Sequence, residues 1–326
     1  MGEYLHRKPK KRKLWVIVLA ALLAVVLAVT LVLVGLRQQT PMQNSNDSSS
    51  DAKVTGKTLP KDFIDRNTAA SYIILGDITN NRILYTKNEN QTCYPASLTK
   101  LMTAIVALEN VPDPTTAFTL GDEVHMIAPG SSRAYLTVGT RLTLEHLLQA
   151  LLLPSGNDAA YAIAVQVGRV IADNPALDKQ AALQIFLEKM NDKAKALGCA
   201  GTHFANPDGI HRDDHYTTAA DMLRIATFAS QQKTIAHIMQ QPEVQATLLS
   251  GQTATWKNTN RMVQKDNIYT YADATGMKTG STDEAGYCLV ASATRNGCTS
   301  IAVVMGSPTE SGRFEDARGL LDISFQ

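Results

Sequence analysis

A chain of 326 residues with 44% hydrophobic and 19% charged content can bury a sizeable core, which excludes both a disulfide-stapled miniprotein and a disordered chain. The formal net charge of +1 hides a split. Six of the 31 Lys and Arg residues fall within the first thirteen positions, beside Glu3 alone, and this leaves 25 basic against 29 acidic residues in the rest. A mildly acidic body excludes a nucleic-acid binder, whose basic surface belongs on the folded domain and not in a tail.

The basic tail, residues 1–13, leads into Leu14 to Leu36, 23 residues without a charge and interrupted only by Thr30 and Gly35. That length spans a bilayer as one helix, exceeds the apolar core of a cleavable signal peptide, and has no small-x-small cleavage site before Arg37. The positive flank predicts an N-terminal transmembrane signal anchor with the tail in the cytoplasm and everything after Arg37 outside the cell membrane. Residues 37–60 are rich in Ser, Asn, Asp and Gln without apolar periodicity and read as a flexible linker. Gly56-Lys57-Thr58 imitates the end of a phosphate-binding loop, but Asp51 stands where that loop needs glycine. A globular domain over 61–326 completes the organisation.

Within it, Tyr72 to Gly76 and Ile83 to Thr86 flank Thr79-Asn80-Asn81 as a hairpin. Leu98, Leu101, Met102, Ile105 and Leu108 recur at helical spacing, predicting a helix from Leu98 to Glu109 that stops before Pro112. Thr143 can cap a helix through Leu153, Pro154 breaks it, and another begins near Asn157. Leu183, Phe186, Leu187, Met190, Ala194 and Leu197 mark one helical face that Gly198 ends. Thr218 and Asp221 have the spacing of a capping box. Gly286 to Ser292 and Thr299 to Met305, joined through Asn296-Gly297, predict a hairpin. In that register Cys298 pairs with Arg295 and lies far from Cys288, so the two cannot bridge, while Cys93 and Cys199 are left open. Strands at both ends with helices between them predict one α/β domain whose antiparallel sheet comes from the two ends of the chain.

Three short motifs carry chemistry: Ser97-Leu98-Thr99-Lys100 (S-x-x-K), Ser155-Gly156-Asn157 (S-x-N) and Lys278-Thr279-Gly280 (K-T-G). The first pattern recurs at Ser50 with Lys53 and at Ser230 with Lys233, but the other two occur once each, and the ordered trio marks penicillin-recognising serine enzymes. Ser97 at a helix start and Lys100 three residues on share one face. A serine hydroxyl needs a neighbouring base, and a lysine serves only if its pKa is lowered, here by the apolar helix and by a second cation, Lys278. Taken singly, each motif also has an ordinary reading: an N-cap serine, a helix-linking turn, a strand glycine at a bulge.

YPASLTKLMTAIVALEN, LEHLLQALLLPSGNDAA, NPDGIHRDDHYTTAADM and MKTGSTDEAGYCLVASA resemble signature blocks of the D-alanyl-D-alanine carboxypeptidases among the low-molecular-mass penicillin-binding proteins, and the resemblance runs from about Ser71 to Phe325. It implies a β-lactamase/DD-peptidase-like α/β fold: a five-stranded antiparallel sheet flanked by helices, plus an all-helical lobe, with the active site between them. It also implies Ser97 as nucleophile, Lys100 as base and Ser155 as proton relay. Asn157 would hydrogen-bond Lys100 and the substrate backbone, Lys278, Thr279 and Gly280 would meet the substrate's carboxylate and chain, and the backbone N–H groups of Ser97 and Ser281 would form an oxyanion hole. Arg313 resembles a family arginine near that carboxylate. The implied partners are peptidoglycan stem peptides ending in D-Ala-D-Ala, β-lactam antibiotics as inhibitors, and the bacterial membrane, with no nucleic acid.

No cofactor is called for. His203, His211 and His215 with Asp208, Asp213 and Asp214 could suggest a metal, but Arg212 follows His211 where a zinc-protease helix has glutamate. Two rival functions remain. A β-lactamase of the most similar serine class would need a deacylating glutamate, for which Glu188 and Asn191 have the wrong spacing. A non-catalytic β-lactam or wall-peptide sensor would have to signal through a thirteen-residue tail. Two departures from the family are the N-terminal anchor, where many members use a C-terminal amphipathic helix, and the absence of a β-rich domain after Gln326.

Overall fold

The computed structural model describes residues 68–326. The predicted tail, transmembrane anchor and linker therefore lie outside the described residues, as does Ser50. Strands β1 (Tyr72–Asp77) and β2 (Arg82–Lys87) form the first hairpin. Asp77 closes its turn by accepting from the Asn80 backbone at 3.0 Å and pairing with Arg82 at 2.8 Å, while Asn81 takes a φ of +50°, which asparagine tolerates. A 3₁₀ turn, Ala96–Thr99, precedes helix α1 (Lys100–Asn110). The helix thus starts two residues later than the apolar spacing predicts, because 3₁₀ and α turns satisfy the same i,i+3 pattern.

Helix α2 (Leu144–Leu152) is capped as expected by Thr143, whose hydroxyl accepts from the His146 backbone. The break at Pro154 leads into α3 (Asn157–Ile171), and α4 (Lys179–Ala196) ends at Gly198 with φ +74°. Thr218 caps α5 (Ala219–Gln231), but only half of a capping box forms. The Asp221 carboxylate turns instead to Gly201 N and Thr202 Oγ1, both at 2.8 Å, and ties down the preceding loop. Helix α6 (Lys233–Gln240) follows. Two small two-stranded sheets escape sequence reading: β3 (Ala117–Thr119) with β4 (Arg141–Thr143), and the hairpin of β5 (Glu243–Thr247) with β6 (Thr253–Lys257).

Strands β7 (Ala274–Thr282), β8 (Gly286–Arg295) and β9 (Cys298–Ser307) and helix α7 (Glu310–Ser324) complete the domain. The sheet runs β2-β1-β9-β8-β7 with every pair antiparallel, so chain start meets chain end along β1 and β9 and leaves β7 as an edge. Period-two alternation sorts its residues. Ile73, Leu75, Leu289, Ala291 and Val304 face Phe314, Leu320 and Leu321 of α7. Ile74, Val290, Val303 and Met305 face the helices inserted between the sheet's two halves. All four thiols are free. Cys93 and Cys199 bond different carbonyls, of Thr217 and Asp221, and Arg295 pairs with Cys298 as the turn requires.

Candidate active site

The 3₁₀ turn that bears Ser97 is wedged between two glycine backbones. A Cβ on Gly209, whose φ is +90°, would fall 1.9 Å from the Ala96 carbonyl oxygen, and one on Gly280 would fall 2.8 Å from Ser97 N. Only glycine lets both chains approach so closely. Ala96 itself has φ +47°, a conformation that costs an alanine about 1–3 kcal/mol. The cost is offset by Thr99, which donates to Ala96 O at 2.8 Å, and by His215, 2.8 Å from the Thr99 hydroxyl. The Ala205 N–H donates to His215 Nδ1, which leaves the proton on Nε2 and makes His215 the donor to Thr99.

Lys100 is fully buried and its Nζ donates to Ser97 Oγ at 2.8 Å, Asn157 Oδ1 at 2.8 Å and the Asp208 backbone oxygen at 2.7 Å. Burial lowers its pKa to about 8 against the opposing carboxylates of Asp208 and Asp158. The repulsion expected from Lys278 falls on Lys278 instead: burial first, then Lys100 and Arg313, hold it well below the usual lysine range. An amine beside a hydroxyl at 2.8 Å with a pKa near 8 can take that hydroxyl's proton when neutral.

Ser155 sits at φ +64° after the α2 break, and Asn157 opens α3. Gly156 between them has no room for a Cβ, which would lie 2.8 Å from the Ala150 oxygen. A loop not anticipated from sequence buttresses the motif. Ser132 Oγ donates to Ser155 O at 2.7 Å, Asn157 N donates to Ser132 O at 2.9 Å, and the Asp158 carboxylate collects the N–H groups of Ala134 and Leu136.

On the β7 edge, Lys278 is 1% exposed and donates to Thr279 O at 2.9 Å, while the Thr279 hydroxyl lies 2.6 Å from that of Thr259. Arg313, on α7, is 6% exposed. It donates to Gly280 O and to Glu310 Oε1, each at 3.2 Å, and stacks over Tyr287 and Phe314. A cleft of about 920 Å³ brings together Ser97, Ser155, Asn157, Thr279, Gly280, Ser281 and Arg313, with the buried Lys100 and Lys278 behind its wall. Sequence reading missed Ser132, Thr259, Asp158, Gly209 and the Asp208 carbonyl. Of these, Asp158, Asp208 and Gly209 fall inside the family-like blocks without being given these roles, while Ser132 and Thr259 lie outside them.

Of the competing features only His211 lines the cleft; Ser230, Glu188, Asn191, His203 and His215 do not. Ser230 bonds the carbonyl of Thr227 within α5. Glu188 and Asn191 line a separate pocket, where Asn191 bridges Leu187 and Phe204. His203 contacts Asp214 O and His211 packs edge-on to Tyr94, so the three histidines serve three different contacts.

A family model described as D-alanyl-D-alanine carboxypeptidase matches residues 57–309. The chain is 35% identical over 252 residues to a D-alanyl-D-alanine carboxypeptidase of Streptomyces sp. strain K15, covering 74% of this chain and 82% of that one. It is 31% identical over 260 residues to D-alanyl-D-alanine carboxypeptidase DacF of Bacillus subtilis, covering 78% and 62% respectively, so it spans about three fifths of that relative. Among solved structures, the Streptomyces K15 DD-transpeptidase superposes with a TM-score of 0.72 at 34% identity, covering 79% of this chain and 97% of that one. Penicillin-binding protein D2 of Listeria monocytogenes, in its ampicillin-bound form, gives 0.64 at 26% identity, covering 79% and 98%.

Proposed function

This chain belongs to the D-alanyl-D-alanine carboxypeptidase family, and we propose that it is a membrane-tethered serine hydrolase that removes the terminal D-alanine from peptidoglycan stem peptides and is acylated by penicillins. The observation that carries the reading is the 2.8 Å contact between Lys100 Nζ and Ser97 Oγ at the wall of a cleft that also takes in Ser155, Asn157 and Thr279.

In this reading neutral Lys100 takes the Ser97 proton as Oγ attacks the penultimate D-Ala carbonyl. The backbone N–H groups of Ser97 and Ser281 receive the developing oxyanion. Ser155 passes a proton to the departing amine, and Asn157 holds both Lys100 and the peptide. Lys278, Thr279 and Arg313 receive the terminal carboxylate. An anion beside Lys278 raises its depressed pKa, so substrate binding itself secures the positive charge. Water then releases the acyl group, and no step requires a cofactor. Residues 14–36 anchor the protein in the cell membrane, residues 37–60 link it, and the catalytic domain stands outside. The hydropathy and flanking charge of the sequence support that placement.

Intact-mass spectrometry after penicillin, then after a D-Ala-D-Ala peptide with a free or amidated terminus, tests the reading. Expected are a stable penicillin adduct absent from Ser97→Ala, and release of D-Ala from the free-acid peptide alone, since the amide loses the charge that the cations meet. Rapid turnover of penicillin with little peptide cleavage would indicate a β-lactamase. An adduct that stalls with both would indicate a sensor.

A further inference from the structure

Asp208 supplies its backbone oxygen to Lys100, and the chemistry above makes no use of its side chain. That side chain is 1% exposed. One carboxylate oxygen accepts from Ile210 N at 3.2 Å, closing an Asx turn, and the other is buried with no hydrogen-bond partner among the described residues. The loop cannot swing the group into water. Asn206 clamps it through Gly209 N and Ile210 O, both at 2.7 Å, and Thr103 of α1 donates to Pro207 O at 2.6 Å.

A buried, half-satisfied carboxyl is costly and needs a reason to be there. The turn alone does not supply one, because asparagine closes an Asx turn equally well without a charge. Lys100 on α1 and Tyr161 on α3 interact with it, while Asp158 on α3 and Lys278 on β7 interact with Lys100, and Arg212 of its own loop interacts with Tyr161. Of these, Lys100 is the cation whose attraction acts on Asp208, and Asp208 is the leading anion acting on Lys100. We propose that the Asp208 carboxylate is a positioning group for the proton of Lys100: ionised, it holds that proton on the lysine and so sets the pH below which Ser97 is not acylated. The inference rests on the reading of Lys100 as the base. Burial raises the Asp208 pKa and lowers that of Lys100, and in each the charge of the other opposes the shift.

The second-order rate of acylation by a fluorescent penicillin, measured from about pH 5 to pH 9, tests it. Asp208→Asn keeps the turn and removes the anion, so Lys100 loses its proton more easily and the acid limb should move down by roughly one pH unit, making the variant about tenfold faster than wild type near pH 6. Asp208→Ser, also neutral, should move the limb the same way, and either variant suffices if the other does not fold. A limb left at its wild-type position, or moved up, in the folded variant overturns this inference alone. Wild type that is not acylated, or Lys100→Ala acylated at the wild-type rate, overturns the reading of Lys100 and this inference with it.

Discussion

Lys100 joins two effects that a single side chain seldom combines: it has no access to water, yet all three of its acceptors are in place. Because burial brings its pKa to about 8, the neutral amine is scarce at pH 6 and abundant at pH 9, and on the proposed role of Lys100 acylation of wild type should rise through about pH 8 to a plateau. Lys100→Ala should lose about 10²–10⁴ in acylation rate while keeping its circular-dichroism spectrum. The same shift bears on stability. The folded pKa lies below the unfolded value, so the penalty of burying the cation is complete below pH 8 and is relieved as pH rises toward the unfolded pKa. Its ceiling is about 3 kcal/mol. Lys100→Met removes that penalty but takes the donor from the Asp208 carbonyl and leaves Asn157 Oδ1 only the long contact from Ser132 Oγ at 3.4 Å. Its stability relative to wild type should therefore be greatest near pH 7 and should fall by pH 10, read from urea midpoints at the two pH values. A difference that does not change with pH would show that Lys100 is not depressed in the fold.

At the scale of elements, the turn that carries Ser97 is held by a relay that begins on another loop: Ala205 N–H to His215, His215 to Thr99, Thr99 to Ala96 O. Burial lowers the His215 pKa to about 3, so this imidazole stays neutral in the fold when the unfolded chain has already protonated. Its contribution is intact above about pH 6.5 and is lost as pH falls toward 3, at up to about 1.4 kcal/mol per pH unit. Replacing His215 by Gln should flatten the fall in stability between about pH 6 and pH 4, and equal slopes in the two proteins would count against the neutral imidazole. Gly209→Ala should abolish acylation or folding outright, since the clash at 1.9 Å is with backbone that has nowhere to move. What was legible here followed from locality. Caps, the break at Pro154, the Asn296-Gly297 turn and the three motifs each lie within a few consecutive residues, and their types report their roles. The five-stranded sheet was anticipated only through the family resemblance. What was missed works through backbone: the Asp208 carbonyl on Lys100 and the Ser132 carbonyl on Asn157 N would serve with any side chain, so no residue type announces them. The strands of the β3–β4 pair are three residues long, too short for periodicity to register, and β5 and β6 carry Glu, Gln, Thr and Lys with few apolar residues to mark an alternation.

Taken whole, the domain is closed by its own ends. Strand β1 lies against β9, and the Asp316 carboxylate of α7 receives the N–H groups of Ala69 and Ala70 at 3.1 and 2.9 Å, fixing the described chain where it enters the sheet. Asp316→Ala should lower the urea midpoint with little effect on acylation, because the bond it removes lies away from the residues lining the cleft. The described residues hold both hydrophobic cores and the cleft, and the proposed membrane tether rests on the sequence of residues 1–60. Twenty-three uncharged residues behind six basic ones meet the conditions for retention in a membrane with the domain outside, and they offer a signal peptidase no small-x-small site. In its native host the protein should therefore sediment with membranes, resist alkaline carbonate, and yield to detergent. Its mature N-terminal sequence should include the basic tail, and protease added to intact protoplasts should remove the penicillin-binding domain. Recovery of a soluble form whose N-terminus falls near Arg37 would mean that the segment is a cleaved leader, and the substrate would then be met by a free enzyme and not by a tethered one.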